Sequence, residues 1–178
     1  VTVFIPYNDD DSLENIPVAN DEYFGKVPAE RLLKEDGMIY FMIDGNYRSK
    51  IGVPAGRAKN ICGSYDAENS ILTIVKFNLP DSLSPYVNSN WGEQDDPFNG
   101  DVVNSYNDGP LEDGSIMGPF YEIETSSPGA ILAGGESIIH TQKVYHLQGD
   151  EENLETITLS VFGLNIAKIK SKFNPEQE

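Results

Sequence analysis

The alternation of apolar and polar positions along the chain predicts a protein built mainly from β-strands. A first apolar run covers residues 2–5, and residues 38–43 are apolar on both faces, as in a strand covered on both sides. Asp44-Gly45 is a tight-turn sequence. In the alternating segment 47–51 that follows, Arg48 and Lys50 fall on one face and Tyr47, Ser49 and Ile51 on the other, so we expect a hairpin here. Residues 70–79 are rich in β-branched side chains and predict a further strand.

A long polar segment, residues 80–118, interrupts this pattern. It is dense in Asn, Asp, Gly, Pro and Ser, contains Trp91, and carries a short predicted strand at 102–106. Loop-rich segments of this length are uncommon in compact domains and often carry function. Two more strands are predicted beyond it, at 119–125 and 136–147.

Helical patterns occur at both ends of the chain. Residues 28–34 begin with a proline, which is favoured at the first helical position, and predict a short helix. Asp150 is a good N-cap for a helix that ends at Gly163, and residues 165–173 predict a second, basic helix. The pattern therefore predicts one mainly antiparallel-β domain over 1–178, with a helical tail at 150–173.

The net charge of the chain restricts the classes of partner that it can bind. Twelve Lys and Arg stand against 29 Asp and Glu, for a formal net charge of −17. We expect no nucleic-acid partner, because nucleic-acid binding depends on cationic side chains, and binding to an anionic membrane surface is disfavoured for the same reason. Neutral ligands such as carbohydrates, and cations such as Ca²⁺, are compatible with this charge. The acidity could also serve solubility alone.

The remaining global signals concern processing and cysteine chemistry. No run approaches the roughly 20 apolar residues that cross a bilayer, so no membrane insertion is expected. The chain begins at Val1 rather than Met, and we expect a trimmed chain from which any targeting segment is gone. Cys62 is the single cysteine, and its apolar neighbour predicts a buried, inert thiol.

Two carboxylates are the first candidates for chemistry. Glu122 and Glu124 are two residues apart, so on a strand they project from the same face. Like charges held close together raise the pKa of at least one carboxyl, which suits a general base or acid. The alternative is a solvated strand face with two inert glutamates.

Two histidines, His140 and His146, fall on one predicted strand and share its face. They are about 20 Å apart at ~3.3 Å per residue, too far to bind one metal ion together. Each could be a structural, hydrogen-bonded histidine. Either could instead be a proton donor if a neighbouring strand brings Glu124 close.

Amide side chains beside aromatic residues suggest a carbohydrate site in the loop-rich segment. Carbohydrates are bound by amides and carboxylates that hydrogen-bond the hydroxyls while an aromatic ring stacks on the sugar. The candidates for substrate binding are Trp91, Asn88, Asn104 and Asp108. Alternatively, these Asn and Asp residues build turns by bonding their own backbone.

Calcium is the only cofactor that the sequence leaves open. From Asp95 onward the chain fails the EF-hand template, because Pro97 and Tyr106 occupy positions that need oxygen ligands. A looser site could use acidic side chains of this segment, namely Glu93, Asp95, Asp96 or Asp101. No metal ligand set is assigned.

The sequence FYEIETSSP at 120–128, followed by LAGGE at 132–136 and a strand through His140, resembles the C-terminal part of the galactose mutarotase (aldose 1-epimerase) superfamily. In that family the first Glu of a Glu-Thr-Gln segment is the catalytic base, and it matches Glu124. The whole chain is more similar to a group of secreted Bacteroidetes proteins of unassigned function, in the same superfamily.

This resemblance implies an antiparallel β-sandwich, or the C-terminal part of one, in a secreted or periplasmic protein. Ser126 replaces the family's Gln, Gly134 replaces its turn proline, and Gly129 replaces an expected Asp. The family's upstream histidine motif, which supplies its catalytic acid, does not occur in this sequence. We therefore expect carbohydrate binding rather than catalysis.

The expected cleft residues are Glu122, Glu124, Trp91, Asn88, Asn104 and Asp108. A rival hypothesis is an active epimerase or other carbohydrate enzyme, with Glu124 as base and His140 or His146 as acid. A third is a non-catalytic structural or interaction module. The sequence predicts no oligomeric state.

Overall fold

A computed structural model describes residues 1–80, 84–90 and 92–173 of the chain. Within them, nine strands form two antiparallel sheets, and two α-helices follow at the C-terminal end. The strands are β1 (Thr2–Pro6), β2 (Leu32–Glu35), β3 (Met38–Met42), β4 (Ser49–Pro54), β5 (Ile61–Asp66), β6 (Ile71–Phe77), β7 (Asp101–Asn107), β8 (Tyr121–Thr125) and β9 (Gln142–Gln148). The helices are α1 (Glu151–Phe162) and α2 (Ile166–Ser171), with a short 3-10 helix at Asp11–Leu13. The predicted mainly antiparallel-β, sandwich-like fold class is confirmed.

The larger sheet has six strands in the order β2-β3-β1-β5-β6-β9, and the smaller sheet has the order β4-β7-β8. Strand β1 lies inside the larger sheet, where Phe4 pairs with Tyr40 of β3 and with Gly63 of β5. A Cβ at Gly63 would lie 2.6 Å from the Thr73 carbonyl oxygen, so this position requires glycine. The close approach sets the packing of the ring of Phe4 against β5.

Each face of the larger sheet buries its own apolar cluster. Val3 and Ile5 of β1 pack toward the smaller sheet, in a cluster that includes Ile51 and Val103. Phe4 points the other way, into a cluster with residues of both helices, namely Leu154, Ile166 and Ile169. The fold therefore has three layers: smaller sheet, larger sheet and helices. This explains why the segment 38–43 is apolar on both faces.

The helical tail follows its sequence signals. The side chain of Asp150 accepts a hydrogen bond from the N–H of Asn153 at 3.0 Å, and α1 ends at Gly163 with φ of +68°. Asn165 caps α2 in the same way, accepting from the N–H of Lys168. Both predicted helices of the tail are confirmed, since capping is a local interaction.

Two predictions of local structure are wrong. Residues 28–34 do not form a helix, because Leu32 belongs to β2 and is buried in the core by pairing with β3. Residues 136–141 lie outside β9, which starts only at Gln142. In the first segment, pairing with β3 overrides local propensity. In the second, the pairing with β6 ends where Phe77 meets Gln142, so the strand does not extend further back.

The predicted hairpin after Asp44-Gly45 is also wrong. The turn exists, with φ of +70° at Gly45, but β3 and β4 belong to different sheets. The buried side chain of Asn107 accepts from the N–H groups of Asp44 and Gly45 at 3.3 and 3.1 Å. This distant residue of β7 fixes the crossing of the chain from one sheet to the other.

Cys62 lies in β5 and is fully buried in the cluster between the sheets. Burial raises the pKa of its thiol to about 12. The predicted burial of this thiol is confirmed. Its raised pKa supports the prediction that it is inert, because a thiol that stays protonated is a poor nucleophile.

Candidate functional site

The smaller sheet has one apolar face and one polar face. Its apolar face, which includes Ile51 of β4 and Ile123 of β8, packs into the core between the sheets. Because side chains alternate along a strand, the neighbouring residues project from the opposite face. We call the group Arg48, Lys50, Gly52, Asn104, Tyr106, Glu122 and Glu124 the polar face.

Strand register sets the arrangement of this face. Tyr106 of β7 pairs with Lys50 on one side and with Glu122 on the other. Asn104 pairs in the same way with Gly52 and Glu124. The register therefore forms two rows across the three strands, Lys50–Tyr106–Glu122 and Gly52–Asn104–Glu124. The first and last residues of each row are more than 70 positions apart in the sequence.

A pocket of about 450 Å³ lies over the polar face. Its floor is formed by Arg48, Lys50, Tyr106 and Glu122, and its walls come from two loops and one further residue. The wall residues are Tyr23, Phe24, Ser89, Asn90, Glu93, Gln94 and Met117. The pocket combines aromatic rings with amide, carboxylate and cationic groups.

Lys50 forms an ion pair with Glu124, the carboxylate expected to act as the base. Its Nζ donates to Glu124 at 3.1 Å to Oε1 and 3.4 Å to Oε2. The same Nζ lies 5.5 Å from the centre of the Tyr23 ring, within the range of a cation–π contact. Glu124 is thus held in an ion pair at the side of the pocket.

Glu122, by contrast, lines the pocket. Burial, the negative charge of Glu124 and a hydrogen bond to Glu124 raise the pKa of Glu122, while the charge of Lys50 acts in the opposite direction. The direction agrees with the sequence-based expectation for paired carboxylates. Of the two glutamates, Glu122 is the one that lines the pocket.

A third carboxylate, Asp101, is buried beside Gly52 of the polar face. The hydroxyl of Tyr23 donates to its Oδ2. Burial raises the pKa of Asp101, and this is opposed by hydrogen bonds from Tyr23 and Asn20 and by the charge of Lys50. A Cβ at Gly52 would lie 1.9 Å from Asp101 Oδ2, so glycine makes room for this carboxylate.

Arg48 and Tyr106 form the other end of the floor. Arg48 Nε donates to the Tyr106 hydroxyl at 3.2 Å, and this hydroxyl donates to Asp108 Oδ1 at 2.7 Å. The backbone N–H of Gly118 donates to the other oxygen of Asp108 at 2.8 Å. The predicted ligand residue Asp108 is buried, so it positions Tyr106 rather than lining the pocket.

The other predicted ligand residues were expected either to bind a ligand or to build turns, and they differ in this respect. Asn104 is buried on the polar face and accepts from the hydroxyl of Ser89 at 3.5 Å. Asn88 is a turn residue, since its side chain accepts from the N–H of Asn90 at 3.0 Å. Trp91 lies outside the described residues.

The histidines do not join this site. His140 shares a hydrogen bond of 3.1 Å with Thr125, which projects from β8 on the face opposite to Glu124. His146 lies on β9 in the larger sheet and bonds Thr73 at 3.0 Å. The prediction that both share one strand face is wrong, because His140 precedes β9.

Sequence reasoning missed Tyr23, Phe24, Arg48 and Lys50. Tyr23 and Phe24 fall in a segment without strand or helix periodicity, so no pattern marks them. Arg48 and Lys50 were correctly placed on one strand face, opposite the face of Ile51, but only the pairing with β7 brings them to Glu122 and Glu124.

The described residues were also compared with what a metal site and a membrane-spanning helix require. Over 1–80, 84–90 and 92–173, no group of three or more His, Cys, Asp or Glu side chains is placed to hold a metal ion. The calcium hypothesis for Glu93, Asp95, Asp96 and Asp101 gains no support from this arrangement. No helix in the same ranges is long and apolar enough to cross a membrane.

The fold and the site define an antiparallel two-sheet β-protein with a polar pocket over its smaller sheet. The chain belongs to DUF6786, a family of unknown function, which matches residues 1–173. No curated protein and no solved structure matches the chain.

Proposed function

We propose that this protein binds a carbohydrate in the pocket over the polar face. One observation carries the proposal: the pocket sets aromatic rings beside hydrogen-bonding side chains that converge on the same space. Tyr23, Phe24 and Tyr106 supply rings, and Glu122, Asn90 and Gln94 supply donors and acceptors. Sugars match this mixture, since their C–H faces are apolar and their edges carry hydroxyls.

The size and exposure of the pocket support the proposal. Its volume of about 450 Å³ falls within the roughly 300–1,000 Å³ of small-molecule sites. Phe24 is 38 % exposed, although the cation of Arg48 covers part of it. An exposed aromatic ring next to polar groups provides a stacking surface without unfolding any part of the site.

The resemblance to the galactose mutarotase superfamily points to the same ligand class and to a secreted or periplasmic location. Binding is favoured over epimerisation, because Glu124 is paired with Lys50 and both histidines bond threonines away from the pocket. If the site does transfer a proton, Glu122 is the better candidate for the base, since it lines the pocket and its pKa is raised.

Isothermal titration and saturation-transfer NMR against a panel of methyl hexosides test the proposal. The variant Glu122→Gln removes a charged acceptor, which predicts roughly tenfold weaker binding. Glu30→Gln, the same change at an exposed glutamate outside the pocket lining, is the matched control and should bind as wild type.

Absence of binding across the panel, or equal binding by the Glu122 and Glu30 variants, would refute the proposal for this pocket. Polarimetry of freshly dissolved aldoses then separates binding from catalysis. Acceleration of mutarotation that Glu122→Gln abolishes would establish the epimerase alternative.

A further inference from the structure

The guanidinium of Arg48 is unusual among the arginines of this chain. Arg31 pairs with the carboxylate of Asp44. Arg57 donates from three nitrogens to the backbone carbonyls of Ile16, Asn8 and Leu13, at 3.0, 2.8 and 2.7 Å. Among the described residues, Arg48 forms no ion pair, and it reaches Asp108 only through the Tyr106 hydroxyl.

The position of this guanidinium is nevertheless fixed. Its central carbon lies 4.1 Å from the centre of the Phe24 ring, and its Nε donates to Tyr106. In the part of the chain that the structure describes, its two terminal nitrogens have no hydrogen-bond partner, and the residue lines the pocket. A planar fork of donors is thus held by two contacts in a residue that lines the pocket.

We infer that the ligand is a carbohydrate that carries a carboxylate, that is, a uronic acid residue, and that Arg48 binds this group. The inference rests on the proposed function and names its ligand class. A guanidinium held in this way binds a carboxylate through two parallel hydrogen bonds, a geometry that lysine does not provide.

The surrounding charges favour one carboxylate over a more highly charged group. The charge of Lys50 is already compensated by Glu124, so Arg48 is the cation of the floor that is left for the ligand. Glu122 and Glu93 line the same pocket, and the chain has a net charge of −17. A dianion such as a phosphate ester is repelled here, whereas a single carboxylate balances Arg48 and leaves the sugar hydroxyls for the acidic and amide side chains.

Matched pairs of ligands test this inference. The methyl glycosides of glucuronic, galacturonic and mannuronic acid are each compared with the corresponding neutral hexoside, by isothermal titration at fixed ionic strength. For at least one pair, we expect the uronide to bind about tenfold more tightly than its neutral partner. Arg48→Gln should remove this preference, so that the variant binds each uronide no more tightly than its neutral partner, whatever its affinity for the hexoside itself.

Two further variants separate local recognition from other effects. Lys76→Gln removes the same charge from an exposed position on β6. This variant should still prefer the uronide, which would show that the change in net charge alone does not explain the effect of Arg48→Gln. Arg48→Lys keeps the charge but not the fork, and an intermediate preference is expected. Circular dichroism confirms that each variant is folded.

The outcomes are distinguishable. If hexosides bind but no uronide is preferred, or if Arg48→Gln keeps the preference, the inference about Arg48 is overturned and the proposed function stands. If neither ligand class binds, the proposed function fails and the inference fails with it.

Discussion

Lys50 Nζ lies 3.1 Å from Glu124 Oε1, although β7 separates the strands that carry the two residues. The Lys50 side chain is only 12 % exposed and Glu124 is 37 % exposed. The ion pair therefore crosses the middle strand of the smaller sheet at its polar face. The ion pair stabilises the arrangement of all three strands, and the carboxylate of Glu124 balances the positive charge of Lys50.

Breaking this pair should destabilise the fold. Lys50→Met or Glu124→Gln should each lower the free energy of unfolding by about 1–2 kcal/mol, because each leaves a half-buried charged partner uncompensated. The double variant should lose less than the sum of the single losses. Urea unfolding of the four proteins gives the coupling energy.

An exposed pair provides the control for this cycle. Lys168 and Asp36 are 3.0 Å apart, but 37 % and 75 % of their side chains are exposed. Lys168→Met should change the free energy of unfolding by no more than about 0.5 kcal/mol. Strict additivity of Lys50→Met and Glu124→Gln would contradict the coupling described here.

Asp21 should make the stability of the protein dependent on pH. Its carboxylate is buried, which raises its pKa, but hydrogen bonds from Lys26 and Lys34 and their charges outweigh burial and lower the pKa overall. A carboxyl with a lowered pKa in the folded state stabilises the protein above its unfolded pKa, and this contribution is lost as the pH falls through the folded pKa.

Asp21→Asn should therefore lower the free energy of unfolding by about 2 kcal/mol at pH 7. The difference from wild type should shrink below about pH 4, where the carboxyl of the unfolded chain becomes protonated. Urea unfolding between pH 7 and pH 3 measures this difference. A deficit that stays constant over the whole range would assign the effect of the variant to packing instead.

Local signals in the sequence were enough for the elements whose causes are local. The caps at Asp150 and Gly163 define α1. The alternation over residues 47–51 places Arg48 and Lys50 on one face. Pairing between distant strands has no such local signature. The turn at Asp44 therefore predicted a hairpin, whereas Asn107, 63 residues further along the chain, directs it between the sheets.

The site was predictable only in part for the same reason. Glu122 and Glu124 share a strand face by simple alternation. The pKa of Glu122 is raised first by burial, which the spacing does not reveal, and then by the nearby charge of Glu124. Their cationic neighbour Lys50 comes from a strand about 70 residues earlier, and Tyr23 comes from a loop without any periodic pattern. The spacing of residues along the chain therefore predicts neither the contact of Lys50 nor that of Tyr23.

Gly52 links the stability of the smaller sheet to the shape of the pocket. In Gly52→Ala the new Cβ would collide with the carboxylate of Asp101, which must move and release the hydroxyl of Tyr23. We expect a loss of about 1–3 kcal/mol in the free energy of unfolding and weaker binding of any glycoside that binds the wild type.

Gly134→Ala is the matched control, because an added Cβ there meets no atom within 4 Å. This variant should retain both stability and binding. Thermal unfolding and isothermal titration on the two variants measure both effects. A Gly52→Ala protein with wild-type stability would show that the Asp101 carboxylate does not need the space over β4.

The last prediction concerns the protonation of Glu122, whose neighbours act on it in opposite directions. Burial, the charge of Glu124 and a hydrogen bond to Glu124 raise the pKa of Glu122, and the charge of Lys50 lowers it. Glu124→Gln should therefore lower the pKa of Glu122, and Lys50→Met should raise it. Carbon-13 NMR titration of the side-chain carboxyl measures both changes directly.

Variants at exposed residues control for the change in net charge. Glu30→Gln and Lys76→Met alter the charge of the chain by the same amounts and should leave the titration of Glu122 unchanged. Opposite shifts in the two site variants would establish that Glu122 titrates in the field of the Lys50–Glu124 pair. Shifts of the same sign would instead mean that both substitutions rearrange the polar face, and the pair would then act on Glu122 through structure rather than through charge.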